Sequence, residues 1–292
     1  MGHPVYTCRR SDQLRTPRPA RRATSPLGAT QPSGAAVLLA IDIGNTSIAA
    51  GVFDGDALMT RFRLASDREM DAEICATHIA AELGAASIDP GSVDGAVLSS
   101  TVPVLATAVE EACRQIFGVE PVVVSAVRQA GVPILYDDPA AVGPDRILHA
   151  VAAVHRHTPP VIVVDFGTAL VFDAVGRDGA YLGGTIAPGI GISAQALFDG
   201  AAMLNDVEVA APTSGSVIGR NTVDGMQAGM FYGYVEMVRG MVRRFKEEIG
   251  DDATVIATGG YANEIAAASG CVDAIEPDLN FEALRLVYEA NT

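Results

Sequence analysis

The chain has 292 residues, of which 49% are hydrophobic, and carries a formal net charge of −15 at pH 7. This length predicts one or two domains with sizeable cores, and no apolar run approaches the ~18 residues that span a bilayer. The acidic balance argues against nucleic acid or an anionic membrane as a partner. The four cysteines are scattered, which favours free thiols in a reducing cytoplasm over disulfides or a zinc site.

The first 34 residues differ in composition from the rest of the chain. They carry six arginines and five prolines against a single acid, Asp12. Prolines break helices, and the segment lacks the apolar region of a secretory signal. A transit peptide would share the arginine content, but the prolines disfavour it. We predict that residues 1–34 form a disordered basic leader outside the fold.

The first predicted strand, residues 37–41, is an apolar run that continues into the motif Asp42-Ile43-Gly44-Asn45-Thr46-Ser47. Gly44 lacks a Cβ, so a ligand can approach the backbone closely there. The backbone N–H groups and the small polar side chains that follow can donate to phosphate oxygens. Asp42 at the strand end is placed to hold a hydrated Mg²⁺. The alternative is a plain strand that ends in an Asn/Gly turn.

Strand and helix signals then alternate along the chain, as expected for α/β architecture. Two further strand-like runs complete a meander, and a helix, a strand, a helix and a short strand follow. In order, these elements are predicted at residues 48–53, 57–64, 71–83, 93–98, 104–117 and 122–124. A polar loop at residues 99–103 follows a strand at the end where open α/β sheets place ligands.

The sequence Gly143-Pro144-Asp145-Arg146 predicts the start of another helix. Pro144 suits a first helical turn with Gly143 just outside it. Asp145 then lies near the helix N-terminus, where a carboxylate is stabilised in its ionised form. The local context leaves open whether Asp145 merely caps the helix or serves as a weak base.

The second half of the chain repeats the first motif. Another apolar run leads into Asp165-Phe166-Gly167-Thr168, and strand-like runs at 169–175 and 180–187 follow with a turn between them. Two halves that open with the same meander indicate an internal duplication. The layout resembles the actin and hexokinase fold, an α/β fold of two duplicated ribonuclease-H-like domains with a nucleotide cleft between them. We predict domains at residues 35–158 and 159–292, joined at a Thr-Pro-Pro sequence.

Glycines mark several of the remaining candidate elements. A glycine-rich turn at 183–191 precedes a helix at 193–204, and the strand at 254–257 ends in Thr258-Gly259-Gly260. The two glycines after that strand would let an adenosine lie against the backbone. The alternative for both turns is an ordinary strand-to-helix connection. A short helix at 281–290 closes the chain.

The longest predicted helix, residues 223–249, has one face without side chains. Gly225, Gly229 and Gly233 are spaced by four residues, and such a bare face permits close helix–helix contact. The partner is either the other domain or a second subunit.

In this order and spacing, the motifs closely resemble those of type III pantothenate kinase, the bacterial first enzyme of coenzyme A synthesis. The resemblance covers about residues 37–292. Its carriers are Asp42 to Thr46, Gly143 to Arg146, Asp165 to Ala169, Gly183 to Gly189, Gly219 to Thr222 and Thr258 to Gly260.

The resemblance implies a cytoplasmic homodimer that transfers phosphate from ATP to pantothenate, with Mg²⁺ and K⁺ or NH₄⁺. Asp145 would accept the proton, Asp165 would bind the monovalent cation, and Asp42 would hold Mg²⁺ through water. The residues implied to bind ATP are Asp42, Ile43, Gly44, Asn45, Thr46, Ser47, Gly167 and Thr168. Those implied to bind pantothenate are Tyr136, Gly143, Pro144, Asp145, Arg146 and Thr222.

One departure from the family pattern and two rival functions remain. Leu170 and Val171 stand where many members have threonines, so two hydroxyl donors are missing from that strand. A sugar kinase of the same fold is one rival, although Tyr136 and Arg146 favour an acidic, partly apolar substrate. The other is a non-catalytic regulator, related to transcriptional accessory factors, against which the three retained acids of the motifs argue.

Overall fold

The computed structural model describes residues 36–200 and 207–292. The predicted leader lies outside the described residues, as does the end of the helix predicted at 193–204. The strands are β1 Val37–Ile43, β2 Ser47–Asp54, β3 Ala57–Ala65, β4 Val93–Ser100, β5 Val122–Val123, β6 Val161–Phe166, β7 Ala169–Val175, β8 Tyr181–Pro188, β9 Thr254–Gly259 and β10 Ala274–Ile275. The α-helices are α1 Ala72–Ala85, α2 Pro103–Phe117, α3 Pro144–Arg156, α4 Ile190–Gly200, α5 Thr222–Ile249, α6 Ala267–Ser269 and α7 Leu279–Asn291.

The two halves of the chain build two five-stranded sheets with one topology. The strand orders are β3-β2-β1-β4-β5 and β10-β9-β6-β7-β8. In each sheet the opening meander is antiparallel, and the two later strands run parallel to its first strand. This is the ribonuclease-H-like arrangement, so the structure confirms the predicted duplicated fold.

The helices start and stop where their local chemistry dictates. Asp71 caps α1 by accepting from the backbone N–H of Ile74, and Asn221 caps α5 in the same way through the N–H of Asp224. Helix α2 ends at Gly118, which takes the left-handed conformation with a φ of 67°. The sequence did not predict β10 or the π-helical turn Ala262–Ala266.

Alternating residues of the strands face two different cores. On β1, Leu39 and Ile41 pack against α1 and α2, whereas Leu38 and Ala40 face a central core that also holds α3 and α7. The second sheet packs its other face on α5. The helices α3 and α7 therefore form a shared layer between the sheets, and this layer carries side chains to the gap where the central strands end.

Helix α7 comes from the second half of the sequence but packs against β1, β2 and β4 of the first sheet. The predicted joint at residues 158–160 falls between α3 and β6. The domain limits 35–158 and 159–292 remain our proposal. Among the described residues, no helix combines the length and the apolar character needed to cross a membrane.

Candidate active site

The two duplicated turns face each other across a cleft between the sheets. In the first turn, Gly44 N donates to Ser47 O at 3.0 Å, and in the second, Gly167 N donates to Ala169 O at 3.1 Å. The hydroxyls of Thr46 and Thr168 share a hydrogen bond of 2.8 Å. The C-terminal ends of β1 and β6 thus bring two sets of small polar groups to one place.

The cleft beside these turns has a volume of ≈ 580 Å³. The sequence-predicted residues that line it are Asp42, Ile43, Gly44, Asn45, Thr46, Ser47, Asp145, Asp165, Gly167 and Thr168. The predicted residues outside its lining are Tyr136, Gly143, Pro144, Arg146 and Thr222. The cleft therefore unites the predicted phosphate-binding residues with three carboxylates, whereas most of the predicted acceptor-binding residues lie outside its walls.

Asp42 is held at the end of β1 by a residue from the far end of the chain. Its Oδ2 accepts a hydrogen bond of 3.0 Å from Nδ2 of Asn280, in the first turn of α7. Burial raises the pKa of Asp42, and the hydrogen bond from Asn280 acts in the opposite direction. The negative charge of Asp145 adds to the effect of burial. Asn280 thus favours the ionised form that a magnesium ligand needs.

Asp165, on β6, has a buried histidine beside it. Burial is the main cause that raises the pKa of Asp165 to about 6. Nε2 of His149, on α3, lies 3.8 Å from Asp165 Oδ2. Burial alone would lower the pKa of His149, but the hydrogen bond to Asp173 and the charges of Asp165 and Asp173 outweigh it, so the pKa rises to about 9. A charged imidazole therefore offsets part of the negative charge of the carboxylate cluster.

Asp173 on β7 organises the layer behind the cleft. This fully buried carboxylate accepts hydrogen bonds from Arg146 Nε at 2.8 Å, His149 Nδ1 at 2.8 Å and the Tyr181 hydroxyl at 2.9 Å. Burying a carboxylate is costly unless it is paired and hydrogen-bonded, and here two cations and a hydroxyl meet that need. The sequence offered one signal that we missed, a single acid within an otherwise apolar strand.

Arg146 is buried, with one edge of its guanidinium committed to Asp173. The group lies 6.0 Å from the ring centroid of Tyr136 and 5.6 Å from that of Tyr181, within cation–π range. Its Nη2 has no hydrogen-bond partner among the described residues. A Cβ added to Gly184 would lie 2.8 Å from that Nη2 and 1.9 Å from the carbonyl oxygen of Phe172, so a side chain does not fit at this position, where β8 packs closely on the guanidinium.

Asp145 lies in the first turn of α3, as the sequence predicts. Gly143 is the residue before the helix and Pro144 its first residue, and Asp145 Oδ1 accepts from the backbone N–H of Arg146 at 3.0 Å. A Cβ on Gly143 would come within 2.5 Å of Asp145 Oδ1. The glycine therefore makes room for the carboxylate, which faces the cleft with Asp42 and Asp165.

Leu170 and Val171, the departures from the family pattern, point in opposite directions. Leu170 is buried in the core that packs on α5, whereas Val171 lines the cleft. A hydroxyl at position 171 would therefore face a ligand, and one at position 170 would not.

Arg63 on β3 is a cleft residue that sequence reasoning missed. It is the sole lysine or arginine among the described residues that line the cleft, and its Nη1 donates to Ser47 Oγ at 3.1 Å. Arg68 likewise donates to Asn45 Oδ1 at 3.2 Å. Two guanidinium groups thus flank the first turn, and guanidinium groups bind phosphate oxygens well. The pairing of β2 with β3, which sets Arg63 opposite Ala49, is the feature from which its place beside the first turn could have been inferred.

The carboxylates of the cleft suit a metal ion that binds together with a nucleotide. Among the described residues, no group of three or more histidine, cysteine or acidic side chains forms a metal cage. Mg²⁺ in nucleotide sites commonly uses one or two carboxylates, substrate phosphates and water. Asp42 beside the first turn fits that donor set.

Comparison with known proteins points to one family. The sequence profile of type III pantothenate kinase matches residues 38–244. The type III pantothenate kinase of Roseiflexus sp. (strain RS-1) is 45% identical over 257 residues, which cover 87% of this chain and 99% of that protein. The one from Moorella thermoacetica is 43% identical over 256 residues, 88% of this chain and 100% of that protein.

Solved structures share the fold at low identity. Component A of the (R)-2-hydroxyglutaryl-CoA dehydratase from Acidaminococcus fermentans superposes with a TM-score of 0.53 at 15% identity. The match covers 88% of this chain and 100% of that chain. At this identity the likeness bears on the fold alone.

Proposed function

The chain belongs to the type III pantothenate kinase family, and on that premise we propose how its cleft performs the family's reaction. The enzyme transfers the γ-phosphoryl group of ATP to pantothenate and forms 4′-phosphopantothenate, the first step of coenzyme A synthesis. The observation that carries the assignment of the site is the joining of both turns, through Thr46 and Thr168, beside three carboxylates.

We assign the donor side of the cleft to the two turns. Residues 42–47, Gly167 and Thr168 hold the phosphates of ATP through backbone N–H groups and small polar side chains. Arg63 adds a positive charge beside the first turn. When bound, Mg²⁺ neutralises charge on the phosphate oxygens, and Asp42 is the residue that would hold it through water. The backbone of Gly259 and Gly260 leaves space for the adenosine.

We assign the acceptor side to the start of α3 and its surroundings. Asp145 orients the pantothenate hydroxyl and accepts its proton. A weak base suffices, because phosphoryl transfer has a loose transition state and the hydroxyl loses its proton late. Arg146 is the residue that would bind the pantothenate carboxylate, which is supported by its buried Nη2 having no hydrogen-bond partner among the described residues. Tyr136, Gly143 and Pro144 would surround the bound substrate.

Asp165 is our proposed ligand for K⁺ or NH₄⁺. Its carboxylate lines the same cleft as the phosphate turns, which supports a cation next to the nucleotide rather than in a remote site. When bound, the cation would add to charge neutralisation. Nε2 of His149 lies 3.8 Å from Asp165 Oδ2, beyond hydrogen-bond distance, so this histidine acts on the carboxylate through its charge.

An ATP-consumption assay tests the function directly. Purified protein is supplied with ATP, Mg²⁺ and either pantothenate or a panel of sugars, with K⁺, NH₄⁺ or Na⁺ as the monovalent cation. We expect ADP release with pantothenate only, and poor substitution by Na⁺. Turnover of a sugar without pantothenate turnover would favour the sugar kinase alternative. ATP binding without any turnover would favour a regulatory relative.

We propose that the protein is a homodimer through the bare face of α5. A Cβ added to Gly225, Gly229 or Gly233 would meet nothing within 4 Å among the residues that the structure describes, which supports a partner outside the chain. Thr222, exposed at the start of this helix, would then complete the neighbour's pantothenate site.

We also propose a cytoplasmic location. The described cysteines, Cys75, Cys113 and Cys271, are all free thiols. Free thiols are typical of proteins in reducing compartments, which supports this assignment.

A further inference from the structure

The start of the C-terminal helix, α7, lies at the cleft. Pro277, Asn280 and Phe281 line the cleft together with the first phosphate turn, although 238 residues separate Asn280 from Asp42. No role follows for these three residues from the motifs, because none of them lies in a motif. Their position comes from the docking of α7 on the first sheet.

Packing fixes the position of Asn280. Its neighbours Ala283, Leu284 and Val287 are fully buried in the central core. Phe281 packs so closely on β2 that a Cβ on Gly51 would come within 3.1 Å of its ring. The start of the helix is thus anchored on the strand that leaves the phosphate turn. This anchoring places the side chain of Asn280 beside Asp42, to which Nδ2 donates, whereas Oδ1 is buried without a partner among the described residues.

Asp42 needs such a partner. Its carboxylate is half-buried and lies in a cleft with two other acids, Asp145 and Asp165. A carboxylate in this setting is stabilised by donors that hold it in one orientation. Nδ2 of Asn280 supplies one at 3.0 Å, and being uncharged it leaves the carboxylate free to attract a cation.

We propose that Asn280 is a positioning residue for phosphoryl transfer, which holds the Asp42 carboxylate in the orientation that receives the magnesium–nucleotide complex. The proposal rests on the kinase function described above. If so, the last helix of the chain, α7, is part of the ATP-binding side of the cleft. Catalysis then depends on this C-terminal helix, in addition to its packing against the first sheet.

Two variants at position 280 and one control test the proposal. Asn280→Leu keeps the size of the side chain and removes the donor, and Asn280→Asp keeps the shape but sets a second charge against Asp42. Asn291→Leu is the control, because Asn291 lies on the same helix and bonds to Gln129 O and Val287 O, away from the cleft. For each protein we would measure kcat, both KM values, melting temperature, and the affinity for ADP with and without Mg²⁺ by calorimetry.

We expect kcat to fall about 10- to 100-fold in Asn280→Leu, the rate equivalent of one hydrogen bond to a charged group. The fall in Asn280→Asp should be at least as large. Magnesium should strengthen ADP binding less in both variants than in the unaltered enzyme, and the KM for pantothenate should stay within about twofold, since Asn280 does not touch the proposed acceptor side. Asn291→Leu should leave all these values unchanged.

Unchanged kcat and unchanged magnesium dependence in folded Asn280 variants would overturn the proposal, as would an equal loss in Asn291→Leu. If Asn280→Leu does not fold, Asn280→Asp decides by the same measurements. Failure of the function itself has a different signature, because the unaltered protein would then not phosphorylate pantothenate. The calorimetric comparison of magnesium and ADP would still decide the role of Asn280 in that case.

Discussion

Asp145 is the side chain whose removal tests the chemistry most directly. Asp145→Asn keeps the shape of the side chain and removes the base, so the fold and ATP affinity should persist while turnover falls ~100-fold or more. Turnover and nucleotide affinity are measured on the same preparation. Glu73→Gln, an exposed acid in the first turn of α1, is the matched control. Near-normal turnover in Asp145→Asn would remove this residue from the mechanism.

Leu170 and Val171 offer a second test, because neighbours on a strand face opposite sides. Leu170→Thr leaves a smaller, polar side chain in the core and should lower the free energy of unfolding by about 2–4 kcal/mol. Val171→Thr places its hydroxyl in the cleft, should change stability by less than about 1 kcal/mol, and should lower one KM up to about fivefold through a new hydrogen bond. Urea unfolding and steady-state kinetics distinguish the two, and the reverse pattern would contradict the structure.

Among the secondary-structure elements, the contact between helix α3 and strand β7 depends on the buried carboxylate of Asp173. Asp173 on the strand binds both Arg146 and His149 of the helix, so its removal leaves two buried cations without their partner. Asp173→Ala should therefore lower the free energy of unfolding by about 3–5 kcal/mol. Tyr181→Phe removes a neutral hydrogen bond to the same carboxylate and should lower it by only about 1 kcal/mol. Equal losses in urea unfolding would show that the ion pairs do not dominate this contact.

Our prediction about the oligomeric state concerns helix α5. No described residue lies within 4 Å of a Cβ added at Gly229, so Gly229→Leu should leave the fold of the single chain intact and even favour the helix by up to about 1 kcal/mol. We expect the substitution to split the dimer and abolish pantothenate binding together, because a large side chain blocks a close helix crossing. Sedimentation and turnover are measured side by side.

The control for α5 is Gly84→Leu, since Gly84 is a helical glycine of α1 that also faces open space. It should change neither the oligomeric state nor turnover. A fully active monomeric Gly229→Leu protein would refute the shared acceptor site and leave the kinase assignment standing.

For the molecule as a whole, we predict that the leader is dispensable. Residues 1–34 lie outside the described residues, and their composition alone supports the prediction that they pack on nothing. A chain that starts at residue 35 should keep the melting temperature and turnover of the full chain within error. Differential scanning fluorimetry and the ATP assay check this, and a fall of several degrees would mean that the leader is part of the fold.

The sequence by itself determined the architecture and much of the donor site. Apolar runs, turn glycines and helix caps act over a few residues, so they can be recognised without the fold. The duplicated motif also predicted the cleft, because central strands in equivalent positions end at equivalent places in the two sheets. For this reason Asp42, Thr46, Asp145, Asp165 and Thr168 were found by pattern and meet in the structure.

Only the tertiary structure decided which side chains support that site. Asn280 reaches Asp42 across 238 residues of sequence, and Asp173 joins a strand to a helix that precedes it. Neighbours on a strand face opposite sides, but alternation alone does not tell which of Leu170 and Val171 faces the cleft. Such contacts depend on how α3 and α7 dock between the sheets. That docking is set by packing summed over both halves of the chain, which no local pattern encodes.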